Sequence, residues 1–330
     1  MEYSYYAGID VSLAKLTVVI LDANLQARPA LEFTNDAKGH QQLLRQLRRL
    51  QAGVHAGLEP TNVYHLAIAR ALHAQRRIDV SVISTTAARH FAQARMQRTK
   101  TDRVDARMLA EYLEACQPTP WQPPRDVAVR LRSLTRFIAS QVERQTALKC
   151  QRHSAKRSQA DLLVLQTINA ELKTIEQRIA KLRQRALQMI KADPQFARWF
   201  KLLVSVPGIA SVTATYLIGE YGMLPAGLSK KQWVALAGLD PQTRESGKSV
   251  NKPRHISKKG GKPVRRALFL PASIAVRCCA EVGRYCAKIQ ARCGGKLPAL
   301  CAVMRKLLQA IWGMLHYDQP FNPARFCPNG

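Results

Sequence analysis

The sequence predicts an α/β domain joined through long helices to a mostly helical C-terminal half. Three observations predict it. Short apolar runs alternate with amphipathic segments up to about residue 115, no Gly or Pro occurs from Arg125 to Asp193, and a Lys/Arg-rich segment follows a Pro-Gly turn at 207–208.

Tyr6 to Asp10 reads as a strand and Leu16 to Leu21 as a second, ahead of a turn at Asp22-Ala23-Asn24; Leu31 to Thr34 makes a third. Asn35-Asp36 then caps an amphipathic helix carrying Leu43, Leu44, Leu47 and Leu50. Ala56 to Glu59 is a strand end, followed by a helix from Thr61 to Gln75, a strand from Val80 to Ile83, and helices over Thr86–Arg95 and Asp102–Cys116. A hairpin-like start followed by strand–helix alternation predicts a mixed sheet covered by helices. Pro118, Pro120, Pro123 and Pro124 end the domain as a linker.

In the stretch free of Gly and Pro, Leu165, Ile168, Leu172, Ile175, Ile179, Leu182, Ala186 and Met189 repeat at alternating three and four, a coiled-coil seam. Polar residues from Gln151 to Gln159 interrupt it, which allows one long helix or two antiparallel ones. The seam must bury itself against its own hairpin partner or a second subunit, and a homo-oligomer (dimer or tetramer) through these helices is expected. The expected divisions are residues 1–117, a linker and coiled coil over 118–194, and a third region over 195–330.

Charge narrows the function. The chain of 330 residues carries 51 Lys+Arg against 22 Asp+Glu, a formal net charge of +29. So basic a protein repels itself unless it meets a polyanion, and nucleic acid is the expected partner. Enzymes acting on small neutral substrates are disfavoured, and a hydrophobic fraction of 47% excludes wholesale disorder. Met1 to Tyr6 show no signal-peptide pattern, and the uncharged run that begins at Leu202 is broken by Pro207-Gly208, so no membrane span is expected. Eight cysteines include five between Cys278 and Cys301, with Cys279, Cys286 and Cys293 at sevenfold spacing and no C-x-x-C pair. They read as buried small hydrophobes in a reducing cytoplasm rather than a zinc site.

Leu202-Leu203-x-x-Val206-Pro207-Gly208-Ile209 has the frame of a helix-hairpin-helix, in which the turn at Gly208 and the next helix N-terminus grip a phosphate. Eleven Lys/Arg then fall between Leu228 and Leu270, opposed only by Asp240 and Glu245. Arg244, Lys248, Lys252, Arg254, Lys258, Lys259, Arg265 and Arg266 are the expected nucleic-acid contacts within this run.

Acids are scarce, so their placement is informative. Asp10 ends the first strand and Glu59 a later one, and Asp102 and Asp105 are three apart on one helical face. If the four converge, repulsion between each pair at about 4 Å costs about 4 kcal/mol at an effective dielectric near 20. Divalent cations relieve such repulsion, and hard oxygen donors select Mg²⁺ or Mn²⁺. Two such ions suit phosphoryl transfer.

With these acids placed, the chain resembles the DEDD transposases of bacterial insertion sequences, the family of the Piv-type DNA invertases and the bridge-RNA-guided recombinases. The resemblance rests on Gly8-Ile9-Asp10, Glu59-Pro60-Thr61, Lys100-Thr101-Asp102-x-x-Asp105-Ala106-Arg107 and Val206-Pro207-Gly208-Ile209. Ala237-Gly238-Leu239-x-Pro241, Glu245-Ser246-Gly247, Arg265-Arg266-Ala267-Leu268 and Met304-Arg305-Lys306-Leu307 extend it nearly end to end. Asn62 and Ala210 depart from it, standing where the family usually has Gly. The resemblance implies a RuvC-like, ribonuclease-H-fold N-terminal domain whose acids Asp10, Glu59, Asp102 and Asp105 bind Mg²⁺. It also implies a C-terminal transposase domain whose Ser246 is the DNA-joining nucleophile, and a structured guide RNA. It favours a serine from one subunit acting at the metals of another, in a nucleoid-associated protein of the bacterial cytoplasm. By residues alone Ser246-Gly247 is a turn. With the resemblance, Ser246 becomes the site of a covalent phosphoserine link, and Arg244, Lys248 and Lys252 stabilise the developing charge.

Three rival readings are weaker. An actin-like ATPase would need further phosphate and adenosine loops, and a basic packaging protein would need neither acids nor serine. A RuvC-like structure-specific endonuclease, hydrolysing branched DNA with the same acids, would not need Ser246 and is the nearest alternative.

Overall fold

The computed structural model describes residues 3–61, 63–99, 101–225, 227–246 and 250–326, with the backbone alone over 243–246 and 250–254. It divides into two compact units, Met1–Pro123 and Pro124–Gly330.

In the first unit β1 (Tyr5–Val11) and β2 (Lys15–Asp22) form an antiparallel hairpin, and β3 (Leu31–Thr34) joins β2 antiparallel. Asp36 caps α1 (Ala37–Arg48) by accepting from the Gly39 N–H. β4 (Val54–Leu58) lies parallel to β1, and after α2 (His65–His73) comes β5 (Ile78–Val82), parallel to β4. α3 (Thr85–Ala94) and α4 (Asp102–Cys116) complete the unit. The sheet order is β3-β2-β1-β4-β5, the mixed sheet expected from the sequence. The helix expected from Thr61 starts later, at His65, and Asn62 lies outside the described residues.

Alternation along the strands decides which side chains meet which helices. Ala7, Ile9 and Val11 of β1, with Val54, Ala56 and Leu58 of β4, join the core that contains Leu43, Leu47, Ile68 and Leu72 of α1 and α2. The opposite face, with Tyr6 and Val19, packs with Ala106, Leu109, Ala110 and Leu113 of α4. Gly8 belongs to this second face: a Cβ there would lie 1.8 Å from the Ala106 carbonyl oxygen. Only glycine lets β1 and the start of α4 come so close.

The proline-rich segment is not a free linker. The Trp121 N–H donates to the Val80 carbonyl at 2.6 Å, and the Ser81 hydroxyl lies 3.2 and 3.1 Å from the carbonyl oxygens of Pro118 and Thr119. These bonds tie the prolines to β5, so the boundary expected after 117 falls after Pro123.

The second unit opens with α5 (Asp126–Arg157) and α6 (Leu162–Ala192), an antiparallel pair with its turn at 158–161. Of the two readings of the seam the hairpin is realised, and Leu172, Ile175, Ile179 and Ala186 are buried within the chain itself. Ala128, Leu131, Ile138, Ala186 and Ile190 share one core with the helices that follow, so the coiled coil and the C-terminal region form one unit rather than the two expected. α7 (Pro194–Val204) and α8 (Ser211–Tyr221) flank the Pro-Gly turn as expected. Glu220, buried in α8, accepts from Arg136 Nε at 2.7 Å and Nη2 at 3.0 Å and lies 3.5 Å from Arg132 Nε.

After α9 (Lys230–Leu236) comes a two-stranded antiparallel ribbon, β6 (Pro241–Ser246) and β7 (Val250–Ile256), then α10 (Lys262–Cys278), α11 (Ala280–Cys293) and α12 (Lys296–Tyr317). The ribbon is a correction to the sequence reading, because its charged residues carry no apolar alternation to announce a strand. Another correction concerns the cysteines: Cys279 is buried, whereas Cys278 and Cys293 are exposed. Among the described residues, no helix is long and apolar enough to cross a membrane.

Candidate active site

Asp10 and Glu59 stand at the ends of adjacent parallel strands, since Ile9 pairs with Leu58 across β1 and β4. Asp10 is two residues beyond Gly8, on the face of β1 that α4 covers. Glu59 is two beyond Gly57, whose Cβ would meet the Leu113 side chain of α4 at 2.8 Å. Thr101 starts α4 by accepting from the Val104 N–H at 3.3 Å, which puts Asp102 and Asp105 in the first helical turn. Ala106, the next residue on that face, sits over Gly8. Close packing at Gly8 therefore brings the first turn of α4 to the end of β1.

Electrostatics reports the convergence. Burial, followed by the charges of Asp102, Asp105 and Glu59 in that order, raises the Asp10 carboxyl above its ordinary value; the Val11 N–H pulls the other way. Asp102 is lowered, chiefly by a hydrogen bond from Lys15 and by that ammonium's charge. Lys15 Nζ lies 2.9 Å from Asp102 Oδ2 and 3.4 Å from Glu32 Oε1. Sequence reading missed Lys15; its signal is its place just across the tight β1–β2 turn from Asp10.

Among the described residues no group of three or more His, Cys, Asp or Glu is arranged to hold a metal ion. The donor chemistry nevertheless fits one: four carboxylates share a region in which half-buried Asp10 resists ionising, and hard oxygen donors suit Mg²⁺ or Mn²⁺.

In the second unit Ser246 is the last residue of β6, where it pairs with Val250 of β7, and Arg244 pairs with Lys252. The side chains of Arg244, Ser246, Lys252 and Arg254 lie outside the described residues, as does Lys248 altogether. Lys258 and Lys259 follow the ribbon, Lys258 with a positive φ of 55°. Arg265 Nη1 donates to the carbonyls of Ala237 and Gly260 at 2.9 Å each, which pins the approach to α10. Arg266 pairs with Glu143. Gly208 has a φ of 87°, and a Cβ there would lie 2.5 Å from the Pro271 carbonyl oxygen, so packing against α10 by itself requires glycine.

Comparison with known proteins shows the family. Residues 7–155 match a DEDD-type family described as transposase, and residues 200–287 match the transposase IS116/IS110/IS902 family. A pilin gene-inverting protein of Moraxella bovis is 26% identical over 96% of this chain and 97% of its own length. That of Moraxella lacunata matches equally, at 26% over 96% and 97%. A probable family 20 transposase of Pseudomonas aeruginosa is 26% identical over 49% of this chain and 47% of its own. The mixed sheet of the first unit is the ribonuclease-H-like region of this family, whose DEDD acids imply a divalent metal. The chain belongs to the IS110/IS116/IS902 family of transposases, enzymes that transfer phosphoryl groups on DNA.

Proposed function

We propose that this chain is a site-specific DNA recombinase of a bacterial insertion sequence, with a RuvC-like acidic centre and Ser246 as nucleophile. The observation that carries the reading is geometric: Asp10 and Glu59 end the adjacent strands β1 and β4, and packing at Gly8 brings the first turn of α4, with Asp102 and Asp105, to the same place, where burial and then these charges raise the Asp10 carboxyl. Asp10, Glu59, Asp102 and Asp105 would hold Mg²⁺ or Mn²⁺. When bound, the metal supplies charge stabilisation for the attacking and leaving oxygens.

The chain's own groups do the rest. Lys15 balances the charge of Asp102 through their ion pair and would yield that carboxylate to a cation held by the four acids. Ser246 Oγ forms a bond to a backbone phosphorus as the P–O bond to the leaving strand breaks; the serine gives up its proton and the leaving oxygen gains one. Reversal against a second strand's hydroxyl rejoins the DNA without an added energy source. Arg244 and Lys252, paired on the ribbon, and Lys248, two residues from Ser246 in sequence, stabilise the charge that develops at phosphorus. Gly208, Arg254, Lys258, Lys259, Arg265 and Arg266 contribute backbone-phosphate contacts, Arg265 through the guanidinium nitrogens that Ala237 and Gly260 do not occupy.

DNA inversion of the kind named for the Moraxella proteins is the closest activity, and a structured guide RNA, a homo-oligomer and a nucleoid-associated place in the bacterial cytoplasm complete the proposal. Ser246→Ala should abolish strand exchange and the covalent protein–DNA adduct while DNA binding persists. Wild-type exchange would remove the nucleophile, and retained strand cleavage without an adduct would favour a structure-specific endonuclease. A discrete RNA extracted from freshly purified protein supports the guide; its absence removes that part.

A further inference from the structure

A cleft of about 690 Å³ opens in the second unit between α5, α6, α8 and α10. That volume falls within the range of about 300–1,000 Å³ of small-molecule sites. Its floor is apolar, with Ile138 and Val142 from α5, Leu187 from α6, and Val212 and Leu270 from α8 and α10. Val212 and Leu270 are exposed large hydrophobics, at 49% and 67%.

The rim is cationic. Arg136, Arg183, Lys262 and Arg266 stand around it, against the single carboxylate of Glu143. Arg136 is held by Glu220 and Arg266 by Glu143, but among the described residues Arg183 and Lys262 make no ion pair. Two helices start at this rim, α8 at Ser211 and α10 at Lys262. Neither has a side-chain cap or an acidic residue in its first turn, so both keep their positive ends for an outside anion.

Pro271 has no N–H to give the Ala267 carbonyl one turn earlier, and both residues line the cleft. Tyr216 lines it as well, with its hydroxyl kept protonated by burial and by Glu220, which push it up to about 12.

We propose that this cleft holds a single unstacked nucleotide, with its base on the apolar floor beside Tyr216 and its phosphate between Arg183 and Lys262. The proposal rests on the reading that the chain acts on polynucleotide and adds where one base leaves the stack. Charge argues against a second copy of the chain as occupant. One exposed apolar cluster, Leu162, Leu163 and Val164 at the α5–α6 turn, lies beside Lys156 and Arg157, and the chain as a whole carries a net charge of +29, so a second copy would bring like charge to the rim. A nucleotide of a bound strand and a free nucleotide share the required chemistry.

The test uses the full-length chain and a short single-stranded oligodeoxynucleotide carrying 5-iodouracil. Photo-crosslinking should mark the segment Ser211–Tyr221 in the wild type, and Val212→Trp, which fills the cleft from an exposed position, should remove the mark. Val212→Trp should also weaken single-strand binding about five- to tenfold. Arg183→Ala with Lys262→Ala, both at exposed positions, should weaken it similarly and lower the salt slope by about 0.7 for the one phosphate they share, which keeps the test open if Val212→Trp does not fold. Protection of the crosslink by deoxyadenosine monophosphate identifies a free nucleotide as occupant, and protection by oligonucleotide alone identifies a strand. Crosslinks confined to other segments, with affinities within about twofold of wild type, would overturn the proposal. So would a Val212→Trp protein whose oligomeric state changes while nucleotide binding does not. Crosslinking should survive in Ser246→Ala, so failure of the recombinase reading and failure of the cleft are separable.

Discussion

A Cβ added to Gly8 would lie 1.8 Å from the carbonyl oxygen of Ala106, a backbone atom that no rotamer change can move away. This contact sets how close α4 comes to β1, and hence where Asp102 and Asp105 stand relative to Asp10.

Gly8→Ala is therefore expected to cost about 3 kcal/mol or more of stability and to weaken Mn²⁺ binding with it. Gly57→Ala is the control. Its Cβ would meet the tips of Leu113 and Ile83 at 2.8 and 2.9 Å, side chains that can give way, and a loss of about 1 kcal/mol is expected. Urea denaturation of both variants checks the ordering, and equal losses would contradict it.

Lys15 both occupies Asp102 and places a positive charge where a cation must enter. Lys15→Ala should tighten Mn²⁺ binding a few fold in a calorimetric titration. Weaker binding would mean that the lysine organises the carboxylates instead of competing for them.

His55 is buried at 1% exposure, 2.9 Å from the Ser81 hydroxyl and stacked on Tyr3 with ring centroids 4.6 Å apart. Burial lowers its folded-state value, against a smaller opposing pull from Asp79. At pH values around and below the ordinary imidazole value of about 6.5, the unfolded chain then binds the proton better than the folded one. Stability from this residue is accordingly full above that value and lost as pH falls through it. Thermal midpoints near pH 7.5 and pH 5.5 should drop less in His55→Gln than in the wild type, and identical drops would remove His55 as the cause.

Much of the first unit was legible because strand alternation and helix caps are local. Asp36 caps α1 as the sequence predicts, and the acids at 102 and 105 lie in the first turn of a helix whose start at Asp102 the sequence also predicts. What escaped depended on contacts distant in sequence. The proline segment looked like a linker until its carbonyls met Ser81, and the structural bonds of Arg265 to Ala237 and Gly260 left no trace in the local sequence. The β6–β7 ribbon escaped for another reason, since charged residues without alternation leave no strand signal. Lys15 was passed over because a lone lysine beside a turn is ordinary until its partner is known.

The most direct test of the acidic centre is a calorimetric titration of the full-length protein with Mn²⁺, comparing the wild type with Asp10→Asn, Glu59→Gln, Asp102→Asn and Asp105→Asn. Each variant is expected to bind at least about tenfold more weakly, while Ser246→Ala binds as the wild type does. Wild-type affinity in all four acid variants would contradict a shared divalent-cation site at the ends of β1 and β4.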